Sequence, residues 1–257
     1  TSSRDRLKMR LLVGDGHEIA YSHQPGLTPG IMFCSGFNSD MQGTKAQALA
    51  QWCLDSGRQF TRFDYLGHGQ SSGKFVDGTI GRWRDDALAV LDQVTTGPQV
   101  MIGSSMGGWI MLLVALARPE RIAALVGIAA APDFTEQMRE TRLSAGQLND
   151  LSNQGFCDLP NCYDDGEPYR ISMQLLDEGR NHLLLDKPIP ITCPVRLLQG
   201  QLDEDVPWQH ALAIAESITS DDVEVTLVKS GDHRLSEPVD LDRLFSVVER
   251  LLQTLES

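Results

Sequence analysis

A serine flanked by closely spaced glycines is the first residue of this sequence whose setting could support chemistry. Ser105 lies in the segment 103–107, Gly-Ser-Ser-Met-Gly, after an apolar run and before a helical pattern. A sharp turn between a strand and a helix strains the backbone of its central residue, so the residues two positions away must have almost no side chain. We therefore predict that Ser105 is a nucleophile, and that the neighbouring hydroxyl of Ser104 points elsewhere.

A serine hydroxyl is a weak nucleophile and needs a neighbouring base, most often a histidine. Three of the six histidines follow Ser105, namely His182, His210 and His233. His233 lies in a polar turn directly after the β-rich run 223–228. His182 belongs to a weakly patterned stretch, and His210 opens a helical pattern. This placement favours His233 as the base.

The base needs a carboxylate that orients its ring. The segment 200–207, Gly-Gln-Leu-Asp-Glu-Asp-Val-Pro, offers three acids after a β-rich run. Its Gly-x-x-Asp-x-x-Val-Pro pattern favours Asp203 over Glu204 and Asp205. Asp133, which follows another predicted strand, is the second position from which the acid could come.

An acyl-transfer site also needs two backbone N–H groups that bind the developing oxyanion. The residue after the nucleophile, Met106, supplies one of them at the start of the predicted helix. The loop after an earlier strand supplies the other, and the segment 34–37, Cys-Ser-Gly-Phe, ends such a strand. We predict that the N–H groups of Phe37 and Met106 form the oxyanion hole.

Short β-rich runs alternate with amphipathic segments along the chain, which is typical of a parallel sheet with crossover helices. The pattern predicts one three-layer α/β domain over 1–257, with an antiparallel start formed by 7–13 and 18–22. The predicted strands are 31–34, 59–63, 100–102, 124–128, 195–198 and 223–228. The predicted helices are 45–56, 80–94, 106–118, 208–218 and 241–255.

The stretch from about 133 to 190 breaks this alternation. Gly, Asn, Asp and Pro punctuate weak helical patterns there, such as 144–152 and 169–177. An insertion after a strand of an α/β sheet lies over the carboxyl ends of the strands, where ligands bind. We predict that it is a lid. Its apolar residues could line an acyl pocket or pack on the domain, and packing is favoured for each of them: Leu148, Leu151, Phe156, Leu175 and Leu176.

Composition excludes several classes of partner. The net charge of −13 would repel a nucleic-acid backbone, and no apolar run is long enough to span a bilayer. The five cysteines show no metal spacing, which favours free thiols over a bridge between Cys157 and Cys162. The sequence contains no Gly-rich phosphate-binding loop and no cluster of metal-ligating residues, so neither a cofactor nor a metal is expected. The amino terminus carries no apolar signal-peptide core, so a cytoplasmic location is predicted.

These residues resemble the α/β-hydrolase superfamily over nearly the whole chain. The order of serine, acid and histidine is the order of that superfamily. Segment 64–71, Asp-Tyr-Leu-Gly-His-Gly-Gln-Ser, looks like the Asp-x-x-Gly-x-Gly-x-Ser loop that such hydrolases carry beside the pocket. More narrowly, the segments 36–46, 103–109, 188–190 and 232–234 resemble the family of the mitochondrial α/β-hydrolase domain-containing protein 10 and its bacterial relatives.

The resemblance implies hydrolysis of S-acyl groups on proteins or of acyl glucuronides, in the mitochondrial matrix or a bacterial cytoplasm. The residues themselves predict a serine hydrolase of carboxylic esters or thioesters, acting on a small molecule or an acylated protein. A serine peptidase or a carbon–carbon bond hydrolase would use the same triad. A binding module without catalysis is the alternative from another class.

Overall fold

A computed structural model describes residues 9–160 and 168–256. Within these residues, eight strands form one sheet in the order β1-β2-β4-β3-β5-β6-β9-β10, and β7 pairs with β8 apart from it. The strands are β1 Met9–Leu12, β2 Glu18–Gln24, β3 Leu27–Cys34, β4 Arg58–Phe63, β5 Gln99–Ser104, β6 Ile122–Ile128, β7 Phe156–Leu159, β8 Tyr169–Ser172, β9 Val195–Gly200 and β10 Val223–Val228.

The sheet is parallel from β4 to β10, and β2 joins it through antiparallel pairing with β4 and β1. In register, Cys34 at the end of β3 pairs with Gly103 of β5, and Gly103 pairs with Gly127 of β6. The carboxyl ends of these strands therefore meet at one edge of the sheet. Ligand sites of open α/β sheets lie at this edge.

Helices cover both faces of the sheet. Alternation along β3 sends Met32 into the core shared with α2 and α3, and Phe33 into the core shared with α1 and α8. The result is three layers. The helices are α1 Thr44–Asp55, α2 Ile80–Val94, α3 Met106–Ala117, α4 Phe134–Gln137, α5 Ala145–Gln154, α6 Met173–Gly179, α7 Gln209–Ser217 and α8 Pro238–Glu256.

The α/β fold predicted from the sequence is confirmed, and each predicted strand and main helix is present with ends shifted by a few residues. The weak helical pattern over 169–177 is a helix only in its second half. Tyr169–Ser172 forms β8, whose alternating exposure suits pairing with β7, and the helix begins only at Met173. The hydroxyl of Ser172 accepts a hydrogen bond from the Leu175 N–H and so caps this helix.

The segment 133–190 contributes α4, α5, β7, β8 and α6, and α4 continues into a π-helix over Met138–Arg142. Asp133 closes the segment on itself, because its two carboxylate oxygens accept hydrogen bonds from the N–H groups of Leu184 and Leu185, each at 2.9 Å. The indole of Trp109 in α3 donates to the carbonyl of His182 at 3.0 Å. The Asp133 bonds join the two ends of the segment to each other, and the Trp109 bond attaches its second end to α3.

Among the described helices, none has the length and apolar character needed to cross a bilayer. The thiols predicted to be free are so at Cys34, Cys53, Cys157 and Cys193. Cys162 lies outside the described residues, as do residues 7 and 8 of the predicted first strand.

Candidate active site

Ser105 occupies the turn between β5 and α3, with φ 55° and ψ −118°. A positive φ is strained for a residue with a side chain and persists only where the surroundings impose it. Three backbone hydrogen bonds impose it here. The Ser105 N–H donates to the carbonyl of Ile128 at 2.9 Å, and the Ser105 carbonyl accepts from Gly108 at 2.9 Å and Ala131 at 3.0 Å.

The glycines around Ser105 are required by close backbone contacts. A Cβ on Gly103 would collide with the carbonyl of Gly107, and one on Gly107 would collide with the carbonyls of Cys34 and Ser35. The end of β3 thus lies directly against the turn that carries Ser105. This contact places the loop after β3 beside the candidate nucleophile.

A hydrogen bond joins His233 to Asp203, with 2.8 Å between Nδ1 of the ring and Oδ2 of the carboxylate. The Asp203 side chain is 0% exposed. Its Oδ1 accepts hydrogen bonds from the N–H groups of Asp205 and Val206, each at 2.8 Å. Burial raises the pKa of Asp203, but the bonds from His233 and these backbone groups outweigh burial and hold the pKa below its usual value.

The other candidate acids have different partners. Asp133 binds the backbone of Leu184 and Leu185, and burial raises its pKa. Asp205 forms an ion pair with Arg142 at 2.6 Å. Glu204 is exposed. Asp203 lies 2.8 Å from Nδ1 of His233, which is the contact that an orienting acid requires.

The other two histidines after Ser105 also have different partners. Nε2 of His182 lies 2.5 Å from Oε1 of Glu178. Nε2 of His210 lies 2.9 Å from the carbonyl oxygen of Pro132. Neither residue lines the cavity that contains Ser105, whereas His233 does.

The predicted oxyanion donors lie on the same cavity, which Phe37 and Met106 line together with Ser105. Among the hydrogen bonds between described residues, neither the Phe37 N–H nor the Met106 N–H donates to another group of the chain. A Cβ built on Gly36 would lie 3.4 Å from Cβ of Ser105, so the loop before Phe37 touches the serine.

The next residue in this loop is held by a buried histidine. The Asn38 N–H donates to Nε2 of His68 at 3.2 Å, and Nδ1 of His68 lies 3.1 Å from the carbonyl of Leu66. Burial lowers the pKa of His68 to about 4, so its ring is neutral at pH 7. A neutral ring with Nδ1–H directed at Leu66 leaves Nε2 free to accept from Asn38.

The cavity has a volume of about 530 Å³ and two chemically different walls. The apolar wall comes from the segment 133–190 through Phe134, Met138, Leu143, Leu159 and Tyr169, and the same segment adds the polar side chains of Gln137 and Arg142. The polar wall comes from the loops after β3 and β10 through Asn38, Ser39, Asp40, Lys45, Arg234 and Ser236. The five apolar residues of the segment singled out in the sequence are absent from the lining. Leu148, Leu151, Leu175 and Leu176 pack in the hydrophobic core, and the guanidinium of Arg170 lies 4.0 Å from the ring centroid of Phe156.

Asp203, Asp205 and His233 place ligand atoms within 4.8 Å of one another. Both oxygens of Asp203, however, already accept hydrogen bonds from nitrogen donors. Donors directed at a carboxylate repel a cation at the same oxygens. The cluster therefore suits a histidine partner better than a metal.

A family model described as serine aminopeptidase, S33, matches residues 29–156. The mouse mitochondrial palmitoyl-protein thioesterase ABHD10 is 44% identical over 239 residues, which cover 93% of this chain and 80% of that protein. The human protein of the same name is 38% identical over 239 residues, which cover 93% and 78%. This chain belongs to the ABHD10 family of α/β-hydrolases.

Solved structures agree with membership of the ABHD10 family. The mouse α/β-hydrolase domain-containing protein 10 superposes with a TM-score of 0.89 and 42% identity, over 97% of this chain and 99% of that one. Est1E from Butyrivibrio proteoclasticus, solved with ferulic acid, shares the fold with a TM-score of 0.78 at 20% identity, over 96% and 98%. As a member of the ABHD10 family the chain is a hydrolase, which confirms the prediction of an enzyme.

Two residues near the candidate triad of this ABHD10-family chain were missed by sequence reasoning. Gln199 directly follows the predicted strand 195–198 and donates to Asp203, and Lys45 reaches the loop that carries His233. A polar residue at the end of an apolar strand was the available signal for Gln199. Nothing in the sequence pattern distinguished Lys45 from a surface lysine, because its partners lie almost 190 residues away along the chain.

Proposed function

We propose that this protein is a serine esterase and thioesterase with Ser105 as nucleophile, His233 as base and Asp203 as the orienting acid. The observation that carries the proposal is the conjunction of a strained serine and an acid-paired histidine on one cavity. The three residues come from the ends of β5, β9 and β10. Catalytic groups of open α/β sheets occur at such strand ends.

In the first half of the reaction, Ser105 Oγ attacks the acyl carbonyl while Nε2 of His233 takes its proton. Asp203 keeps the proton of His233 on Nδ1 and stabilises the imidazolium that forms. The N–H groups of Phe37 and Met106 bind the oxyanion, and Met106 adds the positive end of the α3 dipole. The protonated ring then gives its proton to the leaving thiol or alcohol.

In the second half, His233 takes a proton from water, and the resulting hydroxide attacks the acyl-enzyme. The second tetrahedral intermediate uses the same oxyanion donors. Its collapse releases the carboxylic acid and returns the proton to Ser105. No cofactor or metal takes part in these reaction steps.

We assign the segment 133–190 as a lid that forms the acyl-binding wall over a single domain. It supplies the five apolar residues named above to the cavity, and its aromatic rings reach the oxyanion loop. The ring centroid of Phe37 lies 5.3 Å from that of Phe134 and 5.8 Å from that of Tyr169. An acyl chain lying along this wall would leave the polar wall to the leaving group.

For the substrate we propose a long-chain S-acyl group on a protein or a small thiol, with acyl glucuronides as a related ester class. The relatives at 38–44% identity carry the name palmitoyl-protein thioesterase, and the apolar wall suits a fatty acyl chain. Those relatives are also named mitochondrial, whereas a cytoplasmic location stays a prediction from the sequence.

The test measures hydrolysis of oxygen esters and thioesters over a series of acyl-chain lengths, with the wild type and Ser105→Ala. We expect kcat to fall by about 10⁴-fold or more in the variant, because removal of a triad member has this effect in serine hydrolases. The surface variant Ser246→Ala on α8 is the matched control and should keep full activity. Equal rates in wild type and Ser105→Ala would overturn the proposal.

Amide substrates belong in the same panel, because a serine peptidase and a carbon–carbon bond hydrolase share this triad. The description of the matching family model gives the peptidase alternative a specific basis. Cleavage of an aminoacyl amide at a higher kcat/KM than any ester or thioester would favour the peptidase.

A further inference from the structure

Lys45 lies where two parts of the candidate site meet. It is the second residue of α1, directly after the loop that carries Phe37, and it is half-buried on the polar wall of the cavity. Its ammonium donates hydrogen bonds to the carbonyl of Arg234 and, at 3.1 Å, to the hydroxyl of Ser236. Arg234 is the residue directly after His233 in the chain.

The topology explains why such a bond is needed. Phe37 follows β3 and His233 follows β10, and three strands, β5, β6 and β9, lie between them in the sheet. At about 4.8 Å between neighbouring strands, β3 and β10 are about 19 Å apart. Residues 229–237 must lean back across the sheet for His233 to reach the cavity, and they contain no regular secondary structure to hold them there.

The Arg234 carbonyl does not require Lys45 as its hydrogen-bond donor. The hydroxyl of Ser236 donates to the same carbonyl at 3.0 Å, so this oxygen has a partner without Lys45. Burial lowers the pKa of Lys45 to about 8, although Asp232 and Asp240 raise it and Arg234 lowers it further. A charge that is disfavoured by its surroundings lowers stability, which is characteristic of residues kept for function.

We propose that Lys45 is a positioning residue that couples the oxyanion loop to the base. The Lys45 side chain extends from the start of α1 and holds the carbonyl of Arg234, the residue after His233. This bond sets the distance between the imidazole, Ser105 and the oxyanion donors. The inference rests on the proposed function, because it needs Ser105 and His233 to act together. Lys45 itself makes no bond to the reacting atoms.

The experiment compares Lys45→Met, which keeps an unbranched side chain one atom shorter and has no donor, with Lys45→Arg, which keeps a cation. Lys229→Met is the matched control, because Lys229 is an exposed lysine just after β10. Each protein is tested for its labelling rate with a fluorophosphonate, which reports serine activation without regard to the acyl group. The kcat and KM for a thioester and the Tm are measured in parallel.

We expect Lys45→Met to lower the labelling rate and kcat by about 10- to 100-fold, the scale of a small misplacement of catalytic groups. KM should stay within about twofold and Tm should change little, because a disfavoured charge and its two hydrogen bonds are removed together. Lys45→Arg should recover part of the rate, and Lys229→Met should match the wild type.

Three results would overturn the inference. A lower Tm with an unchanged labelling rate would make Lys45 a structural residue. A rise in KM alone would make it a substrate-binding residue. Absence of labelling in the wild type would overturn the proposed function and this inference together, whereas labelling of the wild type and of Lys45→Met at equal rates would overturn this inference alone.

Discussion

Gln199 donates a hydrogen bond at 2.9 Å from its side-chain amide to Oδ2 of Asp203, the same oxygen that contacts Nδ1 of His233. The amide also contacts the carbonyl oxygens of Gly200 and Val206, each at 3.2 Å. Gln199 is buried, so these contacts are shielded from water. The carboxylate is thereby held from the end of β9 as well as from its own loop.

The first prediction concerns this bond. Gln199→Leu should lower kcat by about tenfold with little change in KM, because Asp203 loses one of the donors that fix its orientation toward His233. The variant Gln201→Leu, at the first position after β9, is the control. Steady-state kinetics on a thioester measure both, and an unchanged kcat in Gln199→Leu would show that the backbone donors suffice.

The second prediction separates the two candidate acids. Asp203→Asn should lower kcat by about 10⁴-fold, because an amide favours the wrong tautomer of the histidine. Asp133→Asn should leave kcat within a fewfold of the wild type, since Asp133 binds only the backbone of the segment 133–190. A large loss of kcat in Asp133→Asn, together with a wild-type kcat in Asp203→Asn, would reverse the assignment.

The third prediction concerns the pH dependence of stability. The pKa of Asp203 is lower in the folded protein than its unfolded value of about 3.9, so its charged form stabilises the fold. This contribution is complete above pH 4 or so and is lost as the pH falls through the folded pKa. The difference in Tm between the wild type and Asp203→Asn should therefore shrink as the pH falls below about 4. A difference that grows below pH 4 would contradict this sign.

The fourth prediction tests the turn at Ser105. Gly107→Ala should destabilise the protein by more than about 3 kcal/mol or prevent folding, because the new methyl group meets two backbone carbonyls. Gly146→Ala in α5 has open space around it and should be neutral or stabilising by about 0.5 kcal/mol. Chemical denaturation measures both, and a stable, active Gly107→Ala would show that the turn relaxes.

The fifth prediction tests the lid. Leu143→Trp should shift the optimum of kcat/KM to shorter acyl chains, because Leu143 lines the apolar wall. Each methylene that loses its place in the cavity costs about 0.8 kcal/mol, or about fourfold in kcat/KM. Leu148→Trp lies in the same segment off the cavity and is the control. An unchanged chain-length profile in Leu143→Trp would place the acyl chain elsewhere.

The sequence alone was enough for the fold and for a hypothesis about the nucleophile. Strand and helix periods are local properties, and the alternation of runs such as 100–102 and 106–118 specifies a parallel sheet. The glycines at 103 and 107 predicted a tight turn, and the contacts of both residues supply its physical reason. The difference at Tyr169–Ser172 arose because a short segment can fit both the helix period and the strand period. Its conformation is then determined by its pairing partner, which here is β7.

Only the tertiary structure determined which residues distant in the chain contact one another. The pairing of Asp203 with His233, the use of Asp133 as a clasp for Leu184 and Leu185, and the bond from Lys45 to the loop after β10 all depend on strand order. Hydrogen bonds act over about 3 Å, whereas sequence patterns report only which face of an element is buried. Strand order and loop direction, which no local pattern encodes, therefore determine which polar groups meet in the cavity.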